Sequence, residues 1–296
     1  MIDDIINMCK GKISVATKEI IPDMDILKKQ DWKLYKINHN CEELDDKYGI
    51  FRVISKEFDM ASEKPNLVVM AGYSIDSFCG STKIIIDNYE KNLLHKKYRA
   101  IYIICYDAEK FKIIQKIAFD TIDPLKNLYK ALYKEEVTVE FERNIKYRTF
   151  CYQGEVAMYS ELAIIIDKIL RCPQLDLKNV HLLGKSAGGG LGLHVVGKSD
   201  IYTKLFLAVP GGCEFSLPLE KLGDRLNEFK CIVGWNEDDK RDLSGLPSNE
   251  NSPYYDIEFD KLKKKYPGFQ YEQHMFKPGN GHEINGDLIR IISEDI

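Results

Sequence analysis

The stretch from Asn179 to His194, NVHLLGKSAGGGLGLH, joins an apolar run to a glycine-rich segment through a single serine. Val180, Leu182 and Leu183 read as a buried strand, and AGGGLGLHVV, from Ala187 to Val196, reads as a helix. Between them Gly184-Lys185-Ser186-Ala187-Gly188 fits GxSxG, the pattern of a nucleophile elbow when strand precedes and helix follows. A serine at so sharp a turn needs a strained backbone, and the flanking glycines leave room for the helix to close on the strand. Its hydroxyl then stands at a helix N-terminus, where amides and the helix dipole favour a developing oxyanion. Composition alone gives roughly 0.06 chance matches to the pentapeptide, so it is the flanking strand and helix that give the match its weight. A phosphate-binding turn is the competing reading, but its first glycine would have to stand where Asn179 does.

Outward from this turn, apolar runs alternate with helical periods. Continuous runs in PNLVVMAGYS (65–74), YRAIYIICYD (98–107), KLFLAVPGG (204–212) and FKCIVGWN (229–236) read as strands buried on both faces, the mark of a parallel sheet. YEQHMFKP (271–278) supplies a last strand. Helical spacing covers 79–97, 154–170 and 259–268. Before them, DWKLYKIN and YGIFRVISKE alternate around polar NHNCEELDD and predict an antiparallel hairpin. The pattern therefore predicts a single α/β domain over 1–296 with a mostly parallel sheet. Residues 1–30 read as an N-terminal arm of helix and loop. Residues 108–152, without a clean period, read as an insertion or small lid.

Composition narrows the function classes. The 296 residues carry 42 basic and 46 acidic side chains in an interspersed pattern, which argues against a nucleic-acid partner. The apolar runs are far shorter than the ~20 residues of a membrane span, and the start MIDDIINMCKGK lacks the basic, then apolar, layout of a secretory signal. Eight cysteines without a CxxC pair point away from zinc and from a disulfide scaffold, and toward reduced thiols in a cytoplasmic protein. No metal or organic cofactor is expected, and the oligomeric state is not legible.

A serine nucleophile needs a base, and His282 in PGNGHEIN stands in a glycine-flanked loop just past the last strand. His181, His194 and His274 fall within a strand, a helix and a strand, where packing or surface roles are expected. The acid that orients the imidazole should follow the strand CIVGWN, which offers Glu237, Asp238 and Asp239. Ending the strand at Gly234-Trp235 favours Asp239, and a shift of one residue would give Asp238. An oxyanion hole would take the amide of Ala187, after the nucleophile, and that of Tyr73, where Gly72 permits close approach after the strand LVVM.

With VVMAGYS, HLLGKSAGG, VGWNEDD and NGHE in this order and strands between them, the chain from about Trp32 to Ile292 resembles the α/β-hydrolase fold superfamily. The resemblance implies an eight-stranded, mostly parallel sheet flanked by helices, with Ser186, Asp239 and His282 at the C-terminal strand ends. Two features depart from the pattern. Ala71-Gly72 replaces the common His-Gly, and only 53 residues separate Ser186 from Asp239, which leaves no room for a large cap there. The implied activity is a serine hydrolase cleaving a small-molecule carboxylic ester or thioester. A peptidase or acyltransferase with the same triad is the alternative within enzymes, and a non-catalytic binding protein on this fold is the alternative outside them.

Overall fold

The computed structural model describes residues 15–20, 25–39, 51–70, 81–105, 122–134, 156–210, 216–239, 253–281 and 283–295. Nine strands form one sheet: β1 (Val15–Ile20), β2 (Lys33–His39), β3 (Arg52–Glu57), β4 (Asn66–Met70), β5 (Ala100–Cys105), β6 (Val180–Lys185), β7 (Tyr202–Ala208), β8 (Lys230–Asn236) and β9 (Gln270–Phe276). Their order across the sheet is β1-β2-β3-β5-β4-β6-β7-β8-β9. From β5 to β9 every pairing is parallel, whereas β1, β2 and β3 form an antiparallel meander that joins β5 antiparallel.

The described residues hold nine strands rather than eight, because β1 lies in the arm expected to be helix and loop. It pairs with β2 over its full length, from Val15 opposite His39 to Ile20 opposite Leu34. Ala16, Lys18 and Glu19 on it are exposed, so these positions show no alternation of buried and exposed residues that would announce a strand in sequence. The same arm contributes a short helix, α1 (Asp25–Lys29).

Helices cover both faces. They are α2 (Ser81–Asn88), α3 (Leu94–Lys97), α4 (Ile122–Tyr133), α5 (Val156–Leu170), α6 (Ala187–Val196), α7 (Ser216–Glu220), α8 (Pro253–Lys265) and α9 (Gly286–Glu294). The two-residue period of the strands divides the core into two layers. From β4, Val68 and Met70 enter the layer holding Leu162 and Ile166 of α5 with Leu191 and Val195 of α6. Leu67 and Val69 enter the opposite layer with Ile85 and Ile86 of α2 and Leu288 and Ile292 of α9. Of the expected insertion at 108–152, α4 and Lys134 are described and the remainder lies outside the described residues. On α4, Leu128 and Leu132 are 55% and 66% exposed. Among the described residues no helix is long and apolar enough to cross a membrane.

Candidate active site

Parallel pairing from β6 to β9 places the carboxyl ends of these strands at one edge of the sheet. At that edge β6 ends in Lys185, Ser186 makes the turn and α6 begins at Ala187. Ser186 adopts φ 54 and ψ −123, a conformation that side-chain-bearing residues rarely take and that marks stored strain. Its amide donates to the Ala208 carbonyl at 3.0 Å, and its carbonyl accepts from the amides of Gly189 and Gly190 at 2.8 and 3.3 Å. These bonds anchor the turn to β7 on one side and open α6 on the other. The side chain is 5% exposed and does not cap the helix it begins, although serine is a favoured capping residue.

Gly184 explains how the turn closes. A Cβ there would lie 2.4 Å from the Gly188 carbonyl oxygen and 2.7 Å from the Gly189 Cα, so only a glycine lets α6 approach β6 this closely. Strain extends to the neighbouring strand end, where Val209, a β-branched residue, holds φ 39 and donates its amide to the Gly234 carbonyl at 2.8 Å. Ala187, the residue after Ser186, is buried at the first position of α6, and the leading amides of a helix have no acceptor within it.

Two strands along, β8 ends at Asn236 and delivers three acids. Glu237 is exposed, and its amide donates to the Phe276 carbonyl, extending the β8–β9 pairing by a residue. Asp238 is part-exposed, and its carboxylate accepts from the amides of Gly279 at 2.6 Å and Gly281 at 3.1 Å. The Gly279 amide above all, with those of Gly281 and Asn280, holds this carboxyl below the usual range. Asp239 is 8% exposed, with its amide turned back to the Asn236 carbonyl at 3.1 Å. Of the two aspartates, Asp239 is the buried one and Asp238 is engaged by the loop after β9.

That loop carries His282, which lies outside the described residues, as do Tyr73 and Gly72. The residues on either side of His282 are described and held. Asn236, 1% exposed, donates from Nδ2 to the carbonyls of Gly281 and Glu283, both at 2.8 Å, and its Oδ1 accepts from Asn285 Nδ2 at 3.0 Å. Lys185, buried beside Ser186, reaches the Glu283 carboxylate at 3.2 Å. Asn236, Lys185 and Asn285 escaped the sequence reading, since no local pattern marks a strand-end asparagine whose partners lie 45 to 49 residues on.

Three of the other histidines, His181, His194 and His274, occupy packing and surface positions. His181 on β6 contacts Tyr98 Oη at 3.2 Å and stacks edge-on against Tyr98 and Phe206, and burial lowers it to about 3. His194 packs against Tyr159 with Ser160 Oγ at 3.4 Å and is lowered to about 3 by burial as well. Both are neutral at ordinary pH and point to no acid–base role. His274 on β9 lies 3.3 Å from Glu272. Among the described residues no group of three or more His, Cys, Asp or Glu has the spacing to hold a metal ion.

A mostly parallel sheet with helices on both faces and a strained serine between strand and helix is the layout of an α/β-hydrolase fold. No protein-family model matches the chain, and no curated protein matches its sequence. Similar solved structures include an acetyl xylan esterase from Paenibacillus sp. R4, 11% identical over 99% of this chain and 92% of that one, with a TM-score of 0.47. An S-formylglutathione hydrolase from Agrobacterium tumefaciens is 12% identical over 96% of each chain, with a TM-score of 0.44. A dienelactone hydrolase from Anabaena variabilis ATCC 29413 is 11% identical over 96% and 97%, with a TM-score of 0.41. Likeness at this level assigns no activity to the chain.

Proposed function

We propose that this protein is a serine hydrolase that cleaves a small-molecule carboxylic ester or thioester through an acyl-enzyme. The observation that carries the reading is the conformation of Ser186, a buried serine at φ 54 and ψ −123 between a parallel strand and a helix N-terminus. Backbone strain of this kind costs on the order of 1–3 kcal/mol and persists where the surroundings impose it, most often at active sites. The buried Asp239 and the tethered flanks of His282 at the same sheet edge support a triad with this serine.

In this reading Ser186 Oγ attacks the acyl carbonyl while His282 takes its proton. The amides of Ala187 and Tyr73 receive the oxyanion, and Asp239 holds the imidazolium. Collapse expels the alcohol or thiol, which carries away the proton from His282. Water then repeats the sequence on the acyl-enzyme and releases the acid. No cofactor enters these steps. Cys172 and Cys231, buried thiols outside any disulfide, suit the reducing, cytoplasmic setting of this reading.

Hydrolysis of p-nitrophenyl esters from acetyl to octanoyl tests the reading. The wild-type protein should turn over at least one of them, and Ser186→Ala should lose up to about 10⁶-fold in kcat. Turnover that survives Ser186→Ala would overturn the assignment. A rise in kcat/KM with chain length would add an apolar acyl pocket, worth up to about 0.8 kcal/mol per buried methylene.

A further inference from the structure

The loop between β9 and α9 reads Lys277-Pro278-Gly279-Asn280-Gly281-His282-Glu283-Ile284-Asn285. Gly279 holds φ 132 and Gly281 φ 50, so two of the residues leading into His282 use backbone regions open mainly to glycine. Such a segment has many accessible conformations, and a general base must be held to within a fraction of an ångström to act. Something outside the loop has to select one of them.

The end of β8 does so. Asn236 places one amide hydrogen on the Gly281 carbonyl and the other on the Glu283 carbonyl, the two carbonyls that bracket His282. Carbonyls only accept, so the side-chain nitrogen is the atom facing them, and Oδ1 is left to receive the Asn285 amide. Two donors and one acceptor in one planar fork are what an asparagine offers. An aspartate at this position would turn acceptors toward acceptors, and an alanine would leave two half-buried carbonyls without their donor. Asp238 grips the same loop through its amides, accepting from Gly279 and Gly281. Gly281 is thus held by its carbonyl from Asn236 and by its amide from Asp238.

We infer that Asn236 and Asp238 are positioning residues that fix the backbone on both sides of His282 and so set where its imidazole meets Ser186 and Asp239. The inference rests on the reading of His282 as the base. Its physical appeal is economy of reference: the clamp lies within three residues of Asp239 on the same strand end, so acid and base take their positions from one rigid element. The ion pair from Lys185 to Glu283 ties the loop to the residue preceding the nucleophile as well.

The test compares Asn236→Ala, Asp238→Ala and His282→Ala in the full chain, with Tyr202→Phe as a stability control. Tyr202 loses a buried hydrogen bond to Asp167 at the opposite end of the sheet and touches nothing in the site. Steady-state hydrolysis of a p-nitrophenyl ester, thermal midpoints and the rate of fluorophosphonate labelling are measured for each. Asn236→Ala should lose about 10²-fold in kcat, the cost of an ångström of misplacement, and label correspondingly slowly, with KM within about twofold of wild type. Asp238→Ala, at a part-exposed site that tolerates change, should lose about tenfold in the same manner and decides the matter if Asn236→Ala does not fold. Tyr202→Phe should lower the thermal midpoint and leave kcat in place. Loss of kcat in Tyr202→Phe equal to that in Asn236→Ala, or clamp variants that raise KM alone or change nothing while His282→Ala abolishes turnover, would overturn the inference and leave the base assignment standing. Full activity in His282→Ala would instead overturn the reading beneath it.

Discussion

Asp238 and Asp239 leave β8 one residue apart, and their surroundings give them different tasks. Asp239 is buried behind the strand end, while Asp238 spends its carboxylate on the amides of Gly279 and Gly281. Replacing the acid that orients an imidazole leaves the wrong tautomer available and costs about 10⁴-fold in kcat. Asp239→Asn should therefore lose about that much, whereas Asp238→Asn, which swaps one acceptor for a donor facing an amide, should lose about tenfold. Steady-state kinetics of the two variants checks the ranking, and a reversed order would move the acid to Asp238. The choice between them was open in sequence because it turned on one residue of strand length. The strand–turn–helix around Ser186 was legible for the opposite reason, since motif, strand and helix are contiguous. Asn236 was not legible, because its function is defined by carbonyls 45 and 47 residues further on.

Among elements, the parallel strands were the readable part. β4, β5 and β6 are buried along their whole length, and each shows in sequence as a cluster of apolar residues: Leu67–Met70, Ala100–Cys105, and Val180 with Leu182 and Leu183. β9, at the sheet edge, is mostly exposed or half-buried, and its sequence still alternates enough to be seen as a strand. β1 fails that test, since Ala16, Lys18 and Glu19 on it are all exposed. The segment 79–97 was expected as one helix and is two, α2 and α3, separated by turns in which Leu93 takes φ 57. Its apolar spacing continues across the break, since Ile85 and Ile86 before it and Leu94 after it all enter the same core layer, and periodicity records burial rather than hydrogen bonding. At the end of the chain, Asn285 caps α9 by accepting from the Asp287 amide at 2.8 Å while also supporting Asn236. One side chain thereby starts the last helix and steadies the loop before it.

For the molecule as a whole, two buried histidines set a pH limit on stability. His181 and His194 are lowered from 6.5 to about 3, chiefly by burial. The unfolded chain takes up a proton on each near pH 6.5, while the folded chain does so only near 3. Throughout that window the unfolded state binds more protons, so stability is full above pH 6.5 and falls as pH falls below it. At pH 5 the loss is on the order of 4 kcal/mol for the two together. Asp238, Glu272 and Asp295, whose carboxyls are held low, add their own loss only at the more acidic end, below the ordinary carboxylate range. Urea unfolding between pH 7.5 and 5 reads this directly, and a flat profile would contradict the neutral, buried histidines. The central claim, that the fold strains and buries Ser186 in order to make it a nucleophile, is tested most directly by reacting the intact protein with a fluorophosphonate and mapping the adduct by peptide mass. A single phosphonylated site at Ser186, absent in His282→Ala, is the predicted result; no adduct, or one on another serine, would contradict it.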